Sequence, residues 1–392
     1  MKKNKNMSLG TMITLAGYAF VGYFGAKLAV NNAQVIGFAT RLFYMGIEST
    51  AVIVTLYYLR FFALFYLALI LQIILHEGGH LVCGLLSGYK YSSFRIFDHI
   101  WINDGERIRH KRMSVPGTGG QCLMSPPELK EGRMPVLLYN YGGAIMNGLS
   151  AVASWALSSL LPETSALWTF LKLSALFGAM LSLTNAIPLR IGLIDNDGRN
   201  AITLMKSPEA TRALWIQLKA NEQLARGQRL RDMPEEWFEV PDDEKLKLPL
   251  LATLGVLAEG RLMDERRFEE ADLLMDRLLS DECGIVGLYE GLLKCDRMYI
   301  ELISENRPEK IEEILTKAQK NLMKKMQSSI SVIRTEYALA LLYDRDEAKA
   351  KKVEARFEKL AREYPYPLEL AGERELMEIV RQRFCISSNN QV

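Results

Sequence analysis

From residue 35 to residue 75 the chain carries only three charged side chains, Arg41, Glu48 and Arg60. A helix at the surface of a soluble domain needs one apolar stripe and keeps a polar face. A membrane-spanning helix needs about 20 mostly apolar residues. The run is long enough for two such helices, hinged near Arg60, with the second over residues 61–86. An earlier apolar run, residues 12–30, is interrupted only by Lys27. Its length, and the apolar segments after it, favour a spanning helix over a signal peptide. Residues 135–161 and 167–187 read as two further spans, the last ended or kinked by Pro188.

Charge divides the chain in two. Residues 1–200 hold 17 Lys+Arg and 10 Asp+Glu, a net +7. The remaining 31 and 36 give residues 201–392 a net −5 at far higher charge density. A soluble domain is about one-quarter charged, so the first half falls short of that and the second exceeds it. Neither half is basic enough to suggest nucleic acid. The five cysteines, Cys83, Cys122, Cys283, Cys295 and Cys385, are odd in number and widely spaced. They form no visible disulfide framework and fit a reducing compartment for the second half.

Between the spans, residues 89–102 and 107–113 have β-type composition around Asn103-Asp104-Gly105, a strong hairpin signal. Pro116-Gly117-Thr118-Gly119-Gly120 reads as a loop. Beyond residue 204 the pattern is charged and amphipathic. The expected organisation is a membrane domain over residues 1–204, a linker over 205–243 that ends in an acidic, Pro-containing stretch, and a soluble all-α domain over 244–392. The fold class is mainly α, a polytopic helix bundle with a small β-hairpin insertion. Asp264-Glu265-Arg266-Arg267-Phe268-Glu269-Glu270-Ala271 looks like the turn of a tetratricopeptide-type hairpin, with an irregular helical bundle as the alternative.

At the end of the long apolar run stands His76-Glu77-Gly78-Gly79-His80. Residues i and i+4 share a helix face, so both imidazoles can reach one zinc ion. Glu77 follows the first ligand, where it can take a proton from a water that the metal has acidified and pass it to the leaving amine. Two histidines and a glutamate at membrane depth are costly unless paired or metal-bound. The alternative is a buried structural histidine pair. His99 and His110 flank the hairpin and read as surface histidines. A catalytic zinc needs a third protein ligand. Acidic residues in this half are few: Glu48, Glu163, Asp195, Asp197 and those of the hairpin region. Asp195 and Asp197 stand out because they follow the last apolar helix.

HEGGH in an apolar helix, then a β-hairpin, then Asn185-Ala186-Ile187-Pro188 followed by Asp197-Gly198, resembles the site-2 protease family of membrane zinc metallopeptidases. The resemblance covers about residues 61–200. It implies His76, His80 and Asp197 as zinc ligands and Glu77 as general base; Asp197 is preferred to Asp195 because it directly precedes a glycine. It implies that Asn185 holds the substrate backbone or the oxyanion. Tyr141-Gly142-Gly143-Ala144-Ile145-Met146-Asn147 resembles the family's central helix, in which an Asn faces the site. One departure is that eight residues separate Pro188 from Asp197, more than the family's usual gap.

Residues 118–124, with Gly119 and Gly120, are expected to be either a lip that pairs with an extended substrate or a flexible connector. Cys83 is taken as a core thiol. The expected function is zinc-dependent cleavage of a membrane-anchored regulator or small precursor peptide. The alternative is a membrane scaffold or transport accessory with a structural metal site. A metal transporter would need further polar ligands within the spans. The C-terminal helices are expected to bind a protein partner or regulate access. Lys and Arg in residues 1–6, in the hairpin and after the last span favour the cytoplasm for all three. That requires an even number of crossings before the hairpin, whereas the sequence reading gives three. The C-terminal domain is expected to be cytoplasmic.

Overall fold

The computed structural model describes residues 9–115, 117–191 and 194–389. The Lys-rich residues 1–6, Pro116, and the pair Gly192 and Leu193 lie outside the described residues. The chain forms two compact units, Met1–Tyr89 with Pro135–Ser207, and Lys90–Met134 with Pro208–Val392.

The first unit holds α1 (Leu9–Ala29), α2 (Asn32–Tyr44), α3 (Thr50–Leu86), α4 (Leu137–Ser158), α5 (Ala166–Ala186) and α6 (Asp197–Lys206). Among them α1, α3 and α5 are long and apolar enough to cross a membrane. Val21, Phe61, Ala68, Leu173 and Phe177 form a buried core where these three helices meet. The outward faces are apolar too: Leu59, Phe62 and Tyr66 on α3, and Leu149, Val152 and Trp155 on α4, are exposed. A surface of that kind suits lipid rather than water.

The hinge expected at Arg60 is not there. α3 runs through it unbroken for 37 residues. Arg60 Nη2 donates to Gln34 Oε1 at 2.8 Å, and its guanidinium lies 4.5 Å from the Phe38 ring centre. With its charge satisfied by α2, the arginine need not break the helix. The chain turns instead at residues 45–49, where Gly46 takes a φ of +82° that glycine adopts without strain. At 13 residues, α2 is about 20 Å long and too short to span.

The second unit joins a sheet to the C-terminal helices. β1 (Lys90–Ile96), β2 (His99–Asn103), β3 (Ile108–Arg112) and β4 (Gly120–Ser125) pair antiparallel in the order β3-β2-β1-β4. The hairpin expected at Asn103-Asp104-Gly105 joins β2 to β3, with Asp104 Oδ1 accepting from the amides of Glu106 and Arg107. Two details differ from the sequence reading. Residues 89–102 are not one strand, because the chain turns at Phe97, whose φ is +54°. Residues 120–124, expected within a lip or connector, are an outer strand of the sheet. Ile102 of β2 packs with Ala225 and Tyr366.

The helices begin with α7 (Pro208–Ala225), which lies in the expected linker yet has Ala213 and Ile216 fully buried. There follow α8 (Asp243–Leu246), α9 (Pro249–Asp264), α10 (Phe268–Leu278), α11 (Gly287–Ile303) and further helices up to Asn389. The charged turn at residues 264–271 is the α9–α10 junction, with Arg266 at φ +62°. Met298, Tyr299, Ile333 and Phe357 sit in the core of this unit.

Candidate metal centre

The site begins with a close crossing of α3 and α4. A Cβ on Gly79 would lie 2.2 Å from the Gly142 carbonyl oxygen, and one on Gly142 would lie 2.4 Å from that of Gly79. A Cβ on Gly143 would stand 2.5 Å from the His76 ring. Only glycine lets the two backbones approach so far, which sets the histidines directly against α4.

Each imidazole is then fixed by a partner on α4. His80 Nδ1 donates to the Tyr139 carbonyl at 2.8 Å. Tyr139 is itself stacked on Tyr89 at 4.7 Å, whose hydroxyl donates to the Pro135 carbonyl. His76 Nδ1 donates to Asn147 Oδ1 at 2.7 Å. A carbonyl oxygen can only accept, so in the neutral rings both Nδ1 atoms carry the proton and both Nε2 atoms keep a lone pair. Those two Nε2 atoms face each other at 3.2 Å.

Asp197 completes the group. Its Oδ2 lies 3.2 Å from His76 Nε2 and 3.4 Å from His80 Nε2. It is buried and makes no hydrogen bond of acceptable geometry. The three acceptor atoms form a triangle with sides of 3.2, 3.2 and 3.4 Å. Tetrahedral zinc with bonds of about 2.0–2.1 Å holds its donors about 3.3–3.4 Å apart. Three converging lone pairs with no donor between them are what a cation needs. Among the described residues this is the group of His, Cys, Asp or Glu side chains arranged to hold a metal ion. Glu77, the residue after His76, is 9% exposed.

The eight residues between Pro188 and Asp197 are absorbed locally. Arg190–Ile191 pairs antiparallel with Ile194–Asp195, so the extra chain folds back on itself. Asn196 staples the two ends together. Its Oδ1 accepts from the amides of Leu189 and Arg199, and its Nδ2 donates to the carbonyls of Thr184 and Ile187. It is the N-cap of α6, and Asp197 is the first residue of that helix. A Cβ on Gly198 would lie 2.4 Å from the Ala186 carbonyl oxygen, so glycine lets α6 abut the end of α5. Asp195 is turned elsewhere: it accepts from Arg190 Nε and Nη2, at 2.5 and 2.9 Å, and pairs with Arg199 at 3.1 Å.

The other expected site residues fall differently. Both ends of the Asn147 amide are engaged inside the bundle, Oδ1 with His76 and Nδ2 with Gln72. The amide steadies the His76 ring at the site that the resemblance expects it to face. Asn185 Nδ2 donates to the Leu181 carbonyl of its own helix at 2.9 Å. Gly119 and Gly120 lead into β4, with the Gly119 carbonyl accepting from the Phe97 amide and Gly120 opposite Ile96. Tyr139, Gly143 and Asn196 are positioning residues that sequence reasoning missed. Tyr139 acts through its backbone and leaves no side-chain signal. Gly143 lies within the stretch 141–147 quoted for the resemblance, and Asn196 directly precedes Asp197.

No curated protein and no solved structure matches this chain. Residues 49–220 match the family model described as Peptidase M50B-like. That match supports the likeness to the site-2 protease family over those residues.

Proposed function

We propose that the protein is a zinc-dependent endopeptidase of the membrane, cutting a membrane-anchored regulator or a small precursor peptide. The observation that carries this reading is the triangle of His76, His80 and Asp197, three acceptor atoms converging with no donor between them. Zinc bound there supplies a Lewis acid for the substrate carbonyl and lowers the pKa of water at an open position. Asn147 and the Tyr139 carbonyl hold the two rings with Nε2 inward. Glu77, next to His76, serves as general base for the attacking water and then as proton donor to the leaving amine.

The test uses purified full-length protein in detergent micelles with a quenched-fluorescent peptide library. Glu77→Gln should keep one zinc per chain and lose turnover by about 10²–10⁴-fold, the usual share of a general base. Unchanged turnover in that variant would leave a scaffold with a structural metal site as the better reading.

The orientation follows from parity. Two spans, α1 and α3, precede the sheet, because α2 is too short to cross. The start of α1 and the sheet therefore share a side. The sheet and the helices from Pro208 onward are one compact unit, so the chain crosses an even number of times between them. α5 is long and apolar enough for one crossing, and α4, 22 residues without a charged side chain, is taken as the other. Arg107, Arg109, Lys111 and Arg112, together with Arg190 and Arg199, then lie on one side, which the positive-inside rule makes cytoplasmic. The second unit is thus proposed to be cytoplasmic, where it can bind a partner or regulate access. Protease added to inside-out vesicles should digest it, and protease added to right-side-out vesicles should spare it; the reverse pattern overturns the orientation.

A further inference from the structure

We infer that Gln72 is a positioning residue for His76, acting through Asn147. The inference rests on the metal-site reading above and deepens it. Gln72 lies one helical turn before His76 on α3 and is fully buried. A polar amide inside a spanning helix is costly unless every group is matched. Here the side chain is matched. Gln72 Oε1 accepts from Asn147 Nδ2 at 2.8 Å and from Ser150 Oγ at 2.9 Å. Gln72 Nε2 donates to Ser174 Oγ on α5 at 2.8 Å. The Gln72 backbone carbonyl also accepts from Asn147 Nδ2, at 2.8 Å. Gly178 on α5 leaves room for the pair, since a Cβ there would lie 2.8 Å from the Asn147 carbonyl oxygen and 3.0 Å from Gln72 Oε1.

The consequence is directional. The two ends of an asparagine amide are alike in shape, and their partners decide which way it points. Two Gln72 oxygens face the Asn147 nitrogen. Turning the amide over would set Oδ1 against both of them. Asn147 Oδ1 is therefore held on His76, which must meet it with an N–H. His76 Nδ1 carries that proton and Nε2 keeps the lone pair that faces Asp197 and His80. Gln72 is held in turn by hydrogen bonds with Ser150 and Ser174. A hydrogen-bonded path thus runs from α5 through α3 and α4 to the metal-facing nitrogen. Outer partners of this kind typically change metal affinity by about 10–100-fold when removed.

The test measures zinc affinity by chelator competition, the visible absorption spectrum of the cobalt-loaded protein, and thermal unfolding, on full-length protein in micelles. Gln72→Leu should weaken zinc binding about 10–100-fold and shift the cobalt spectrum. Gln72→Glu keeps an oxygen for Asn147 and Ser150, while the Ser174 hydroxyl can turn to donate; it should bind zinc within about threefold of the original chain. In an Asn147→Ala background, Gln72→Leu should have no further effect on zinc affinity, because the two act as one unit. Should Gln72→Leu fail to fold, Gln72→Met keeps the length and unbranched shape and carries the same expectations. A folded Leu or Met variant with unaltered zinc affinity and cobalt spectrum overturns the inference and makes Gln72 a packing residue. Additive effects in the double variant overturn it as well. If the unsubstituted chain itself binds no zinc, it is the metal-site reading that fails.

Discussion

Asp195 and Asp197 differ by two positions and share one chemistry, yet the fold surrounds them differently. Asp195 is held by two arginines, and Asp197 faces two imidazoles with an oxygen that no donor satisfies. Asp197→Ala should therefore lower zinc affinity by about 100-fold or more, since it removes a first ligand where outer partners alone are worth 10–100-fold. Asp195→Asn should keep the zinc and cost about 1–2 kcal/mol of stability through the arginines it leaves behind. Chelator competition and thermal unfolding read the two quantities. Loss of zinc in Asp195→Asn equal to that in Asp197→Ala would sink the assignment. At this scale the sequence was most legible where the chemistry is local. His76 and His80 share a helix face by arithmetic alone. The groups that fix their rings, Asn147 and the Tyr139 carbonyl, come from another helix, and which end of an amide meets a ring is settled only by what stands behind it.

Helix positions were readable because apolar runs and span length leave little freedom. The error at Arg60 is instructive. A charge in an apolar run suggests a break, but Gln34 and Phe38 on α2 supply the partners that let α3 continue. Partners contributed by a neighbouring element are invisible to a reading along the chain. The long gap before Asp197 departs from the family pattern in sequence, yet two short paired segments and the Asn196 staple still leave Asp197 facing the two histidines. β4 was missed for a similar reason. Gly119 and Gly120 read as a loop, while Gln121, Cys122, Leu123 and Met124 gain strand form by pairing with β1.

Across the whole molecule the charge split separates an apolar first half from a charge-rich second half, but does not say which of them takes the sheet. That depends on contacts such as Ile102 with Ala225 and Tyr366, more than a hundred residues apart, which no local pattern encodes. The second unit also carries a pH response. Burial pushes the Glu373 carboxyl up to about 7, with Arg334 opposing and the charge of Asp296 adding. Burial raises Glu369 to about 7 as well, against a hydrogen bond from Tyr364. Both ordinarily titrate near 4.5. The folded form thus keeps protons that the unfolded chain has released. The stability they contribute is fully present below about pH 4.5 and is lost as pH rises through about 7. Calorimetry of the full chain should show the melting of this unit fall by on the order of 5 °C between pH 5 and pH 8. Glu373→Gln should flatten much of that slope; an equal slope in the variant would reject the account.

The length of α3 has a mechanical consequence. Its 37 residues extend about 55 Å, against about 30 Å of hydrocarbon in an average bilayer. Such a rod must lean away from the bilayer normal, protrude from it, or do both. His76 is ten residues from the end of the rod, about 15 Å along its axis. Each change in lean therefore carries the metal-facing nitrogens toward or away from the headgroups. On the proposed peptidase reading, lipid thickness would then bear on how deep the site sits, and so on which peptide bonds come level with it.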